Sequence, residues 1–176
     1  MLNTKEGDQA VRVGFVGLGS QGGPIARQVA RAHSLHTWVR REASLASLDL
    51  HRLGNACDLV GICVGNDKDV LEVVQGGLLD GMQPGTILSI HSTVHPDVCR
   101  SLESLAAPKR IAVLDAPVSG AGSGASNRTL VTIVGGDRAA FARARGVFDT
   151  FSGHVHYVGS SGTAQIAKLI NNALFM

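Results

Sequence analysis

Aromatic residues are scarce in this chain: one Trp, one Tyr and five Phe among 176 residues. Charge of either sign is nearly balanced, with 16 Lys and Arg against 14 Asp and Glu, a formal net charge of +2. A nucleic-acid partner calls for a basic run or a basic patch studded with aromatics, and neither is present. No apolar stretch approaches the roughly 18 to 20 residues of a membrane span. The opening MLNTKEGDQA is a polar leader without a signal-peptide apolar region. Cysteine is limited to Cys57, Cys63 and Cys99, with no C-x-x-C spacing. These are expected to be small buried hydrophobes in a reducing compartment, Cys63 inside a buried strand, so the expected location is the cytoplasm. Internal repeats and low-complexity tracts are also lacking. The remainder, 44% hydrophobic and 17% charged, suits one globular domain with a sizeable core.

The most informative stretch is VRVGFVGLGSQGGPIARQV, from Val11 to Val29. Val11 to Val16 is an apolar run of strand length, broken by Arg12 and Gly14. Beyond the turn, Ile25, Ala26, Val29 and Ala30 repeat at helical spacing. Between them lies a G-x-G-x-x-G turn, Gly17-Leu18-Gly19-Ser20-Gln21-Gly22. Such a turn gains meaning only when a strand precedes it and a helix follows, as here. Gly17 then allows the tight turn, Gly19 the approach of a pyrophosphate, and Gly22 close helix–strand packing. The first-turn N–H groups and the helix dipole face the phosphates. Pro24 is tolerated, since a first-turn residue has no intrahelical acceptor to lose.

Strands and helices alternate downstream. Strands are expected at Leu35–Val39, Leu59–Val64, Ile87–Ile90, Ile111–Leu114, Leu130–Val134 and Val155–Val158. Helices are expected over Ala43–Ala56, from Asn66 or Asp67 to a stop at Gly76-Gly77, from His95-Pro96 to Leu105, over Arg138–Phe151, and from about Ser161 onward. Ala121 to Asn127 reads as a loop of small residues. The expected fold is therefore α/β: a Rossmann-type, doubly wound, mostly parallel sheet with helices on both faces. Ligands of such sheets bind outside the carboxyl ends of the strands, where the strand order reverses. The segments Gly17–Gly22, Val64-Gly65-Asn66, His91–Thr93 and Ser119-Gly120 all fall at those ends. At the end of the second strand, where NAD-binding folds place an acid, stand Val39, Arg40 and Arg41. A guanidinium there grips a 2′-phosphate, which favours NADP over NAD, although Glu42 partly offsets it. His154 and His156 share one side of a strand with no third ligand nearby, so no metal is expected. His91 and His95 read as solvated loop histidines, with His91 near enough the rim to touch a substrate.

Four segments in order resemble the β-hydroxyacid dehydrogenase family, which includes 3-hydroxyisobutyrate dehydrogenase, tartronate semialdehyde reductase and 6-phosphogluconate dehydrogenase. They are GLGSQGGPIA, HSTVHP, DAPVSGAGSGASNRTLVTIVGGD and GTAQIAKLINN. Departures are Gln21 where methionine is usual, His91 in place of an acid, and Ala121 and Arg128 at usual glycine positions. The resemblance implies that Gly17, Leu18, Gly19, Ser20, Gln21 and Gly22 hold the pyrophosphate and Arg40 the adenosine end. It places Val64, Gly65, Asn66 and Thr93 along the cofactor. Ser119 and Gly120 would take the carboxylate of a small substrate, Lys168 would be the catalytic acid/base, and Asn172 its support. Lysine suits that role where burial lowers its pKa from about 10.4. The same lysine separates the chain from related imine reductases, which lack it.

Against the family pattern, Ala43 to Ala56 leaves room for little more than one helix, so a missing or abbreviated third strand and a more open adenine pocket are expected. The apolar ending Ala173-Leu174-Phe175-Met176 implies that residues 1–160 form the dinucleotide domain. Residues 161–176 would begin a connector helix, with the family's all-helical second domain absent. Two functional expectations follow: an oxidoreductase acting on a small β-hydroxyacid or its semialdehyde, or a truncated dinucleotide-binding fragment without turnover. A homo-oligomer formed through the exposed last helix is a further expectation.

Overall fold

A computed structural model of the chain describes residues 11–40 and 48–174. The first strand, β1 (Arg12–Val16), pairs in parallel with β2 (Ser34–Trp38) on one side and β3 (Leu59–Ile62) on the other. The parallel sheet continues through β4 (Ile87–Ile90) and β5 (Ala112–Asp115). Then the direction reverses. The strand β7 (Leu130–Gly136) runs antiparallel to β5 and to the short β6 (Val118–Ser119), and β8 (Ser152–Gly159) lies parallel to β7. The sheet is thus mostly parallel, as expected.

Both faces are covered, which is why the central strands read as near-continuous apolar runs. On one face α1 (Gly22–Val29), α6 (Ala121–Ser126) and α7 (Arg138–Phe148) pack Ile25, Val29, Ala125, Ala144 and Phe148 against Val13, Phe15, Leu59 and Leu114. On the other, α2 (Leu50–Ala56), α3 (Asp67–Val73), α4 (Leu79–Gly81) and α5 (Pro96–Ala106) bring Leu53, Val70, Leu79 and Leu102 onto Val16, Val60, Ile62 and Leu88. The last helix, α8 (Thr163–Leu174), starts just beyond β8.

Several expectations are corrected. Residues 121–126 form α6 rather than a loop. Its small residues carry no apolar stripe, yet they let it press close to α1. A Cβ on Gly122 would meet the Ser20 carbonyl oxygen at 2.4 Å, and Gln28 Nε2 donates to the Ser126 carbonyl at 2.7 Å. Gly76 and Gly77 do break the helix, as expected: both have non-helical backbone angles, and Gly77, at φ +113°, turns the chain into the short α4. Only Leu50–Ala56 of the expected Ala43–Ala56 helix is seen, capped by Asp49 accepting from the Arg52 N–H at 2.8 Å. Arg41, Glu42 and residues 43–47 lie outside the described residues, as do the leader and Phe175-Met176. Among the described residues no strand separates β2 from β3, so β2 is the sheet edge. Cys63 sits just past β3 and is half-buried, and burial pushes its thiol up to about 11. Finally, α7 stops at Phe148 and β8 begins at Ser152, earlier than the expected Val155.

Candidate functional site

The chain places β2 and β3 on opposite sides of β1, so the winding direction reverses there. A crevice for a ligand opens at the carboxyl ends of such strands, and the glycine turn lies at that point. Gly17 has φ +90°, its N–H donates to the Trp38 carbonyl at 3.0 Å, and a Cβ would collide with the Cys63 carbonyl oxygen at 2.2 Å. A Cβ on Gly22 would meet the Gly17 carbonyl oxygen at 2.0 Å, so only glycine lets α1 start this close to β1. Gly19 is different: apart from its own chain neighbours, nothing lies within 4 Å of where its Cβ would be. Its backbone faces open space. No side chain caps α1 and no acid stands in its first turn. Ser20 is exposed, while Leu18 and Gln21 are half-buried. A bare helix N-terminus, an open glycine and the lack of a local carboxylate suit a pyrophosphate. The residues present therefore fit a dinucleotide.

Hydrogen bonds tie the rim together. Asp115, fully buried at the end of β5, accepts from the N–H groups of Gly162 and Ala164 at 2.9 Å and Gln165 at 3.2 Å. Its carboxylate thus satisfies the first donors of α8. Gln165 is fully buried too. Its Nε2 donates to the Ser92 carbonyl at 2.9 Å, and its Oε1 accepts from the Val94 N–H at 3.1 Å. Ser92 Oγ accepts in turn from the Val64 N–H at 2.8 Å. The segments after β3, β4 and β5 and the start of α8 are therefore one connected unit. Lys168 lies on α8 one turn beyond Gln165 and is buried, and this burial lowers the pKa of its ammonium. Asn172 follows a turn later, half-buried. Ser119 is half-buried, Gly120 (φ +122°) is exposed, and Thr93 is exposed.

Sequence reasoning gave no role to Asp115, Ser92 or Gln165. An acid closing an otherwise apolar strand was the available signal for Asp115. Asn66, one of the two expected starts of α3, caps it, its Oδ1 accepting from the Asp69 N–H at 3.0 Å. Arg40 is held by Asp69, and its Nη1 lies 3.4 Å from Glu72 Oε2. His91 is not solvated: it is buried, its ring stacked on Phe15. His95 caps α5 through Nδ1, which accepts from the Asp97 N–H at 3.3 Å. His154 and His156 are exposed with ring centroids 6.1 Å apart, and no cluster of metal-ligating residues occurs among the described residues. No helix among them is long and apolar enough to cross a membrane.

Residues 12–159 match the family described as the NAD binding domain of 6-phosphogluconate dehydrogenase. The chain belongs to this family. A 3-hydroxyisobutyrate dehydrogenase of Pseudomonas aeruginosa is 32% identical over 174 residues, covering 92% of this chain and 58% of that protein. Among solved structures, Mycobacterium tuberculosis 3-hydroxyisobutyrate dehydrogenase with L-serine superposes with a TM-score of 0.88 at 26% identity, over 95% of this chain and 60% of that one. Psf3 in complex with NADP+ and 2-OPP superposes with a TM-score of 0.84 at 28% identity, over 92% of this chain and 62% of that one. The chain spans about 60% of the length of the relatives it matches. As a member of this NAD-binding family it carries the glycine turn inside the matched span, and its cofactor class is NAD(P). Lys168 and Asn172 lie beyond that span.

Proposed function

We propose that the chain is the dinucleotide-binding part of an NAD(P)-dependent oxidoreductase acting on a small β-hydroxyacid or its semialdehyde. The observation that carries this is the glycine cradle, open at Gly19 and closed against β1 at Gly17 and Gly22, within a family match covering residues 12–159. Residues 17–22 hold the pyrophosphate on the N–H groups of the turn and of α1. Arg40 stands at the adenosine end, and Val64, Gly65, Asn66 and Thr93 line the path to the nicotinamide. When bound, the nicotinamide ring supplies or accepts the hydride.

Lys168 handles the accompanying proton. In reduction its ammonium donates to the carbonyl oxygen; in oxidation its neutral amine takes the proton from the hydroxyl. Burial serves both directions, because an amine with a lowered pKa is a stronger acid when protonated and is more often neutral when it must accept a proton. Asn172, four residues on, shares its helical face and supports it. Ser119 and Gly120 receive the substrate carboxylate. L-Serine in the tuberculosis relative is a hydroxyacid of this size. A second reading, a dinucleotide-binding fragment without turnover, is favoured by one fact: the chain spans about 60% of its relatives' length. On either reading residues 1–160 are the dinucleotide domain and 161–176 begin a connecting helix.

Titration with NADPH and NADH, beside assays of NADPH oxidation with glyoxylate, succinic semialdehyde and tartronate semialdehyde as the compounds reduced, separates these. Saturable binding with turnover is expected. Gly19→Ala keeps the thermal stability, since nothing beyond its own chain neighbours meets the new methyl, and weakens binding by at least about tenfold. Lys168→Ala lowers turnover by about a hundredfold or more with dinucleotide affinity little changed. Binding without turnover selects the fragment; no binding overturns both readings.

A further inference from the structure

We infer that Asp69 sets the chain's choice between the 2′-hydroxyl and 2′-phosphate forms of the dinucleotide by competing for Arg40. This rests on the dinucleotide reading above and concerns the adenosine end of the same site. From sequence alone Arg40 is a free guanidinium beyond β2, ready for a 2′-phosphate. In the structure that guanidinium is engaged by two carboxylates, Asp69 through Nη2 and Glu72 through Nη1. Arg40 follows β2 and Asp69 lies in the first turn of α3, after β3. The pair therefore links the ends of the two strands flanking β1, the strand that delivers the glycine turn.

Asp69 is the fixed member of the group. Its side chain is 21% exposed, against 53% for Arg40 and 49% for Glu72. Its own N–H is bound by Asn66 Oδ1, and a Cβ on Gly65 would meet Asp69 Oδ2 at 2.9 Å. Glu72 is looser and has a second cation, Lys68 Nζ, 3.7 Å away. Asp69 thus dominates the field at Arg40.

In dinucleotide folds an acid near this point accepts from the ribose hydroxyls, whereas an arginine takes the 2′-phosphate. This chain presents both, the arginine after β2 and the acid from α3. A 2′-hydroxyl can donate to Asp69 and leave the ion pair intact. A 2′-phosphate must draw the guanidinium from Asp69. Giving up two opposite unit charges about 4 Å apart in a water-like dielectric weakens binding by a factor of about five. That penalty falls on NADPH and spares NADH.

The test is equilibrium titration of NADPH and NADH, followed by nicotinamide fluorescence, on the wild-type chain, Asp69→Asn, Glu72→Gln, Arg40→Gln and the Asp69→Asn/Arg40→Gln double variant. Asp69→Asn is expected to shift the NADPH-to-NADH affinity ratio toward NADPH about five- to tenfold at low salt. The shift shrinks as ionic strength rises, Glu72→Gln gives a smaller shift of the same sign, and no shift survives in the Arg40→Gln background. An unchanged ratio in Asp69→Asn overturns the inference. So does an equal shift without Arg40, which would reveal general charge rather than competition for one guanidinium. Failure of the wild-type chain to bind either dinucleotide defeats the underlying site assignment instead.

Discussion

His91 shows how far surroundings can redefine a residue. Its ring stacks on Phe15 at 5.9 Å and meets the edges of Phe148 and Phe151 at 5.7 and 5.6 Å. Nδ1 lies 2.9 Å from the Ala116 carbonyl, which only accepts, so Nδ1 carries the proton and Nε2 is left to accept from Ser89 Oγ at 3.4 Å. The imidazole is neutral in the fold, its pKa pulled down to about 4 by burial. Nothing in the polar tract His91-Ser92-Thr93 signals this, because the three aromatic neighbours come from β1, α7 and the segment after it. The consequence for stability has a definite sign. Above pH 6.5 neither state binds the proton and nothing is lost. As pH falls from 6.5 to about 4, the unfolded chain takes up a proton that the folded chain refuses. Stability drops by about 1.4 kcal/mol per pH unit in that window, about 3 kcal/mol in all. Urea unfolding at pH 7 and pH 4.5 is expected to show a smaller difference for His91→Phe than for wild type, whatever the variant's stability at pH 7. Equal differences would mean that His91 is protonated in the folded chain.

Elements made of apolar runs or amphipathic stripes were legible in the sequence, and β1, α1, β4 and α5 fall within a residue or so of expectation. The miss at α6 has a physical cause. AGSGAS buries backbone and small side chains, not an apolar stripe, so periodicity is blind to it. The same holds for the anchoring of α8. Its first donors are satisfied by Asp115, whose partners lie 47 to 50 residues further along the chain. Sequence patterns register neighbours one turn away, not partners across a fold. Lys168 was found by resemblance, together with the burial that its role requires. Because Asp115 positions the helix that carries Lys168, Asp115→Asn tests the arrangement. One acceptor oxygen remains and an amide N–H then faces a backbone N–H. The expected cost is about 2 kcal/mol, read by urea unfolding, with faster amide exchange at Ala164 and Gln165 than in β3. If exchange rose uniformly across the domain, Asp115 would be serving the sheet rather than α8.

For the whole molecule the open question is the far side of α8. Ala164, Gln165 and Lys168 turn inward, while Ile166, Leu169, Ile170 and Leu174 are 41, 41, 57 and 75% exposed. These four recur at three- and four-residue spacing and so form a stripe along the helix. Lys168 is the helix's only charged residue, and it is buried. The stripe is therefore apolar and uncharged, and two copies can meet across it without like charges facing each other. We expect self-association through this face, driven by burial of apolar side chains at about 25 cal/mol per Å². Sedimentation across a concentration series should show a dimer giving way to monomer on dilution. Ile170→Lys, which sets two ammonium groups against each other in such a pair, should yield monomer throughout. Ile170 is 57% exposed in the single chain, so its thermal stability and dinucleotide titration should stay as in wild type. A wild-type chain that sediments as monomer at every concentration would show that this stripe does not serve a second copy.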